Sequence, residues 1–188
     1  AIQIRPDYAE AYSNRGIALQ ELGQLDEAVT SHNKAIQIRP DFAEAYSNRG
    51  NAQKKLGLLD EALTSHDRAI QINPDHPGAF NNRGLVYCEL GQLDEAMQNY
   101  DRAIQIKPDF AVAYYNRHAL LLNPDDLMPA IRCMEKAIDI DPLNINYRFV
   151  LGMLWDYSGD TQKAMTQFDM VESGESLYRA RLDAWRYI

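Results

Sequence analysis

Four asparagines recur at one fixed step, Asn14, Asn48, Asn82 and Asn116, and the next step lands on Val150. A carboxamide both donates and accepts. A row of them can therefore pair with the N–H and C=O groups of an extended chain, whatever side chains that chain carries. Arg15, Arg49, Arg83 and Arg117 follow directly. They could meet an acidic ligand, but the favoured reading is structural: the aliphatic stem packs and the head reaches a carboxylate of the same fold. His32 and His66 share a column with Tyr100, Met134 and Phe168, which marks them as packing residues. One helix spacing of roughly 8–10 Å would also keep them from sharing a metal ion through bonds of about 2.0–2.1 Å. His76 stands alone in a turn, and His118 has no Cys or His companion. Cys88 and Cys133 lie far apart without a C-x-x-C, so neither a disulfide framework nor a zinc site is expected. No nucleophile–base pairing, glycine-rich phosphate loop or acidic ligand cluster emerges. The expectation is a chain with no enzymatic activity, cofactor or metal.

Charge narrows the partners. The 188 residues carry 19 basic against 27 acidic groups, a net charge of -8, with no local basic stripe, and 46% of them are hydrophobic. Such a field repels nucleic acid and anionic lipid, while the apolar fraction suffices for a folded core. No apolar run approaches the length of a membrane span. Unpaired cysteines and the lack of a signal-peptide pattern point to the cytoplasm.

The elements that must position these residues are set by a repeat. Pro6, Pro40, Pro74, Pro108 and Pro142 keep a 34-residue interval, as do Gly16, Gly50, Gly84 and Gly152, and Ala28, Ala62, Ala96, Ala130 and Ala164. The repeats are residues 9–42, 43–76, 77–110, 111–144 and 145–178; residues 1–8 are the tail of a truncated one, and the first two share 24 of 34 residues. Each reads as two helices. Tyr12, Leu19 and Leu22 form a stripe at helical spacing, and Gly23 suits the left-handed residue that closes the first helix. Asp26 and Glu27 open the second, Ala28, Ala35, Ile36 and Ile38 point inward, and Pro40 ends it. Asp7 with Glu10, and Asp41 with Glu44, read as capping boxes. Small residues in the Gly16 and Ala28 columns allow close helix approach.

An aromatic four residues before glycine, a small residue in each helix and a closing proline resemble the tetratricopeptide-repeat signature over essentially all of residues 1–178. The resemblance implies an all-α, right-handed superhelical solenoid of antiparallel hairpins. Its first helices would line a concave face that holds an extended peptide or a partner's helix, and the asparagine column would lie there. That column is similar to the asparagine ladder in the repeat arm of O-GlcNAc transferase. The carboxylate clamp of chaperone-binding members is a poorer match: Asn51 and Asn82 fit, but Ser47, Val112 and Asn116 occupy the places of its basic residues.

Repeat four breaks the pattern with His118 for glycine, Pro124 for leucine and Asp125 for the closing glycine. Pro124 should stop its first helix early, and Pro129 is tolerable only in the first turn of the second. Repeat five is unusually apolar at Phe149, Val150, Met153, Trp155 and Tyr157. Residues 175–188, with Tyr178, Leu182 and Trp185 on one stripe, read as a capping helix over it. The groove is thus polar over repeats one to three and apolar beyond, with Tyr115 and Leu122 as exposed apolar contacts for a ligand. The function expected is a scaffold for a protein or peptide. The alternatives are the recruiting arm of a larger glycosyltransferase or methyltransferase, and an array that self-associates end to end.

Overall fold

Alanine decides how these helices meet. Ala28, Ala35, Ala62, Ala69, Ala96 and Ala103 are all fully buried, and a side chain of one methyl group lets two backbones approach closely. The computed structural model describes residues 8–172. Among them stand ten α-helices, one short 3-10 turn and no strand. The architecture is all-α, a helical-repeat solenoid built from antiparallel hairpins. It divides into two compact units, the first ending at Pro108 and the second beginning at Asp109.

The first unit holds α1 (Ala9–Glu21), α2 (Leu25–Ile38), α3 (Ala43–Lys55), α4 (Leu59–Ile72), α5 (Pro77–Glu89) and α6 (Leu93–Ile106). They pair as α1 with α2, α3 with α4 and α5 with α6, and each hairpin rests on the next through α2–α3 and α4–α5. The first helices also touch one another, α1 on α3 and α3 on α5. Gly23, Gly57 and Gly91 close α1, α3 and α5 at φ of 74°, 77° and 74°, a region that costs a side-chain-bearing residue energy. The other glycine column serves close approach. A Cβ at Gly50 would lie 2.7 Å from the His66 ring, and one at Gly84 would lie 2.6 Å from Tyr100.

In the second unit, α7 (Ala111–His118) runs only eight residues before a 3-10 turn at Ala119–Leu121; α8 (Met128–Ile140), α9 (Ile145–Tyr157) and α10 (Thr161–Glu172) follow. As the prolines require, the first helix ends before Pro124 and Pro129 lies in the first turn of α8. Its core is bulkier than the alanine-lined first unit. Ile131, Met134, Tyr147, Leu151, Leu154 and Trp155 cluster here, with Phe168 packed against them.

Three local expectations are corrected. Leu22 is 74% exposed, because it is the C-cap of α1 and lies off the buried stripe. The Asp41 capping box does not form: Phe42 is the N-cap of α3 without a side-chain bond, which leaves Asp41 one residue too early. Its counterpart at α1 has Tyr8 as N-cap, while Asp7 lies outside the described residues. His76, by contrast, has a job the sequence did not show. It caps α5, its Nδ1 accepting from the Ala79 N–H at 3.2 Å. The capping helix expected over residues 175–188 also lies outside the described residues.

Candidate functional site

The asparagine column occupies one position on successive first helices. Asn14 on α1 is exposed and Asn48 on α3 is half-buried, and neither side chain has a hydrogen-bond partner among the described residues. Asn82 on α5 is half-buried and accepts one bond, from Asn81 Nδ2 at 3.2 Å. Asn51, one turn beyond Asn48, is likewise half-buried. These four amides belong to the first unit, where α1, α3 and α5 lie side by side. Asn116 holds the same position on α7 of the second unit, half-buried and already engaged in an interaction.

The arginine column is structural where its bonds are visible. Arg49 donates through Nε to Ser65 Oγ at 3.0 Å and through Nη1 to Asn33 Oδ1 at 2.9 Å. Arg83 repeats the pattern, with Nε to Asn99 Oδ1 at 2.8 Å and Nη1 to Asp67 at 2.5 Å. Each thus binds its own hairpin and the preceding one. Arg83 meets a carboxylate, whereas an amide serves Arg49. Arg117 reaches Cys133 Sγ at 3.2 Å.

His32 and His66 are fully buried beneath Gly16 and Gly50, as packing residues should be. Burial, reinforced by Arg49, lowers the His32 pKa to about 4; burial and then Arg83 lower that of His66 to about 3. His76 and Lys54 add to the lowering at His66, and Gln20 marks a second contrast between the two rings. Its Nε2 stands 3.0 Å from His32 Nε2 and 3.1 Å from the Asn48 carbonyl. The residue in that place in the next hairpin is Lys54, which turns to Glu89 at 2.9 Å and leaves both ring nitrogens of His66 without a partner.

Tyr115 departs from expectation. It is half-buried, its ring 5.2 Å from those of both Tyr147 and His118, so it belongs to the packing of the second unit. Leu122 is 53% exposed. No helix among the described residues is long and apolar enough to cross a membrane.

Tetratricopeptide-repeat family models match residues 20–57 and 84–123, residues 43–76, and residues 1–30 and 67–98, which together run without a gap from 1 to 123. The chain belongs to the tetratricopeptide-repeat family. No curated protein matches the sequence. Among solved structures, a thermophilic TPR protein of Thermus thermophilus superposes with a TM-score of 0.77 at 22% identity, over 96% of this chain and 100% of its own. PilF of Pseudomonas aeruginosa gives 0.82 at 19% identity, over 92% and 78%. YrrB, a TPR protein with an unusual peptide-binding site, gives 0.65 at 22%, over 99% and 96%. At these identities the likeness is one of fold.

Proposed function

We propose that this chain is a non-enzymatic protein-interaction scaffold that holds an extended segment of a partner along the first helices of its first unit. One observation carries the reading. Asn14, Asn48 and Asn82 repeat on neighbouring helices, and two of the three side chains, the exposed Asn14 and the half-buried Asn48, have no hydrogen-bond partner among the described residues. Adjacent helices pack roughly 8–10 Å apart and an extended chain rises about 3.3 Å per residue, so one amide meets about every third ligand residue. Asn51 adds a second amide on α3. Affinity then comes from main-chain hydrogen bonds, and selectivity from whatever flanks them. Membership of the family supports a protein partner, and the peptide-binding site of YrrB supports a peptide segment of one. Asn116 keeps the same repeat position on α7 of the second unit.

The test is to purify a natural partner on the wild-type chain and titrate it against Asn14→Ala, Asn48→Ala and Asn82→Ala, singly and together. At about 0.5–1.5 kcal/mol per net hydrogen bond, each single change should weaken binding roughly two- to tenfold, and the triple change at least about tenfold. Helicity and melting should not move, since these amides hold little of the fold together. Equal affinities for wild type and triple variant would refute the assignment.

A further inference from the structure

The irregularity of repeat four has made a cavity. In the first unit α1, α3 and α5 each run thirteen residues. Here α7 stops after eight, the 3-10 turn adds three, and Leu122 is already extended at φ -70° and ψ 102° ahead of Pro124. The next first helix, α9, does run its full thirteen residues. Its last turn therefore faces an irregular strand of chain where a helical turn would otherwise lie. The space left is a cavity of about 310 Å³, lined by Leu122, Pro124, Leu127, Met153, Leu154 and Tyr157.

Three properties distinguish this cavity. First, no lysine, arginine or other charged side chain lines it. Second, it is open: Leu122 is 53% and Tyr157 68% exposed, while Leu127 and Leu154 form a buried floor at 8% and 7%. Third, the chain segments that line it also carry exposed aspartates. Asp125 and Asp126 lie between Pro124 and Leu127 in the chain, and Asp156 adjoins Tyr157; all three are exposed, and none forms an ion pair among the described residues. Asp126 spends one oxygen on the Met128 N–H at 3.1 Å, whereas the other two carboxylates have no such duty.

We infer that this cavity is a docking site for one large apolar side chain, presented by a partner segment that carries lysine or arginine on either side of it. The volume is at the lower end of ligand pockets, enough for a single leucine, methionine or aromatic anchor. Burying such a group supplies affinity, and the unpaired carboxylates select a basic context and repel an acidic one. The chain's own residues 175–188 also combine arginines with Leu182 and Trp185. Occupation by that segment is a distinct outcome of the test. The site is separate from the asparagine column and does not depend on it.

The experiment uses the full chain and fluorescein-labelled synthetic peptides, each with one leucine, methionine, phenylalanine or tryptophan between paired lysines. Controls replace the anchor by serine, or the lysines by glutamates. At least one anchor peptide should bind saturably. Its affinity should fall at least about tenfold with either control, with Leu122→Asp, with Tyr157→Ala and with the charge reversal Asp125→Lys plus Asp156→Lys, and should weaken as salt is raised. Asn48→Ala with Asn82→Ala should leave it unchanged, which separates this site from the amide row. Leu122 and Tyr157 are mostly exposed, so two independent variants guard against loss through misfolding, checked by circular dichroism. Absence of binding by every peptide, or binding insensitive to both Leu122→Asp and Tyr157→Ala, overturns the proposal. So does binding that emerges only when Leu182 and Trp185 are changed to serine, which would make the C-terminal segment the occupant. A concentration-dependent dimer abolished by Leu122→Asp would assign the cavity to a second copy and equally overturn it.

Discussion

Acid should unfold the first unit by a route that two residues control. His32 and His66 are fully buried, with pKa values lowered to about 4 and about 3 against an ordinary 6.5. The direction follows from linkage: a histidine depressed on folding binds its proton more readily when unfolded, so stability falls as the pH drops below 6.5. The loss continues until the folded-state values are reached. At about pH 5 both imidazoles are still neutral in the native protein and mostly charged in the unfolded one. About 1.5 pH units at about 1.4 kcal/mol each gives ~2 kcal/mol per histidine, hence ~4 kcal/mol between about pH 8 and pH 5. The control is His32→Phe with His66→Phe. Phenylalanine already fills this column at Phe168, packed against Gly152, so the ring is compatible with the site. Urea unfolding followed by far-ultraviolet circular dichroism at both pH values should show the ~4 kcal/mol loss in the wild type and only a small remainder in the double variant, where His118, also lowered by burial, persists. The same acid loss in both proteins would refute the argument, as would a wild type no less stable at pH 5 than at pH 8.

Two further outcomes follow from packing and pairing. Gly84→Ala puts a Cβ 2.6 Å from a Tyr100 ring that is itself buried and tied to Cys88 at 3.3 Å, so it should cost about 1–3 kcal/mol in thermal or urea unfolding, partly recovered by adding Tyr100→Leu. Arg83→Met keeps the stem but strips Asn99 Oδ1 and Asp67 of their donor; a loss of about 1–2 kcal/mol is expected, whereas Asp67→Asn, at a partner 57% exposed, should cost under about 1 kcal/mol.

The repeat was legible because packing wrote it. Alanine, glycine and proline recur where two backbones touch, where a ring lies on a helix and where a helix must end, and each has one physical use at its position. The early stop of α7 was legible for the same reason, since Pro124 forbids the turn that would follow. What escaped were features made by a pair of positions far apart in sequence. Tyr115 looked exposed because its own helix sets only His118 beside it; Tyr147 on α9 completes the cover in the fold. The orphaned nitrogens of His66 depend on Lys54 choosing Glu89, a contact 35 residues away. The Asp41 capping box failed by a single residue of register, which is the finest detail a helix boundary carries. The apolar cavity likewise needed the missing turn of α7 to be set against the full length of α9.

The arginines that grip two hairpins at once also decide how the molecule comes apart. Arg49 cannot release Asn33 without loosening its hold on Ser65, so melting one hairpin of the first unit weakens the boundary of its neighbour as well as its own interior. In a linear array, the sharpness of unfolding depends on such boundary energies relative to the stability of each segment alone. Leu151 takes the arginine's place on α9 and is buried in the local core. The hairpin of α9 and α10 therefore lacks this tether, and in amide exchange it should open as a separate block, while the first three hairpins exchange as a single cooperative domain.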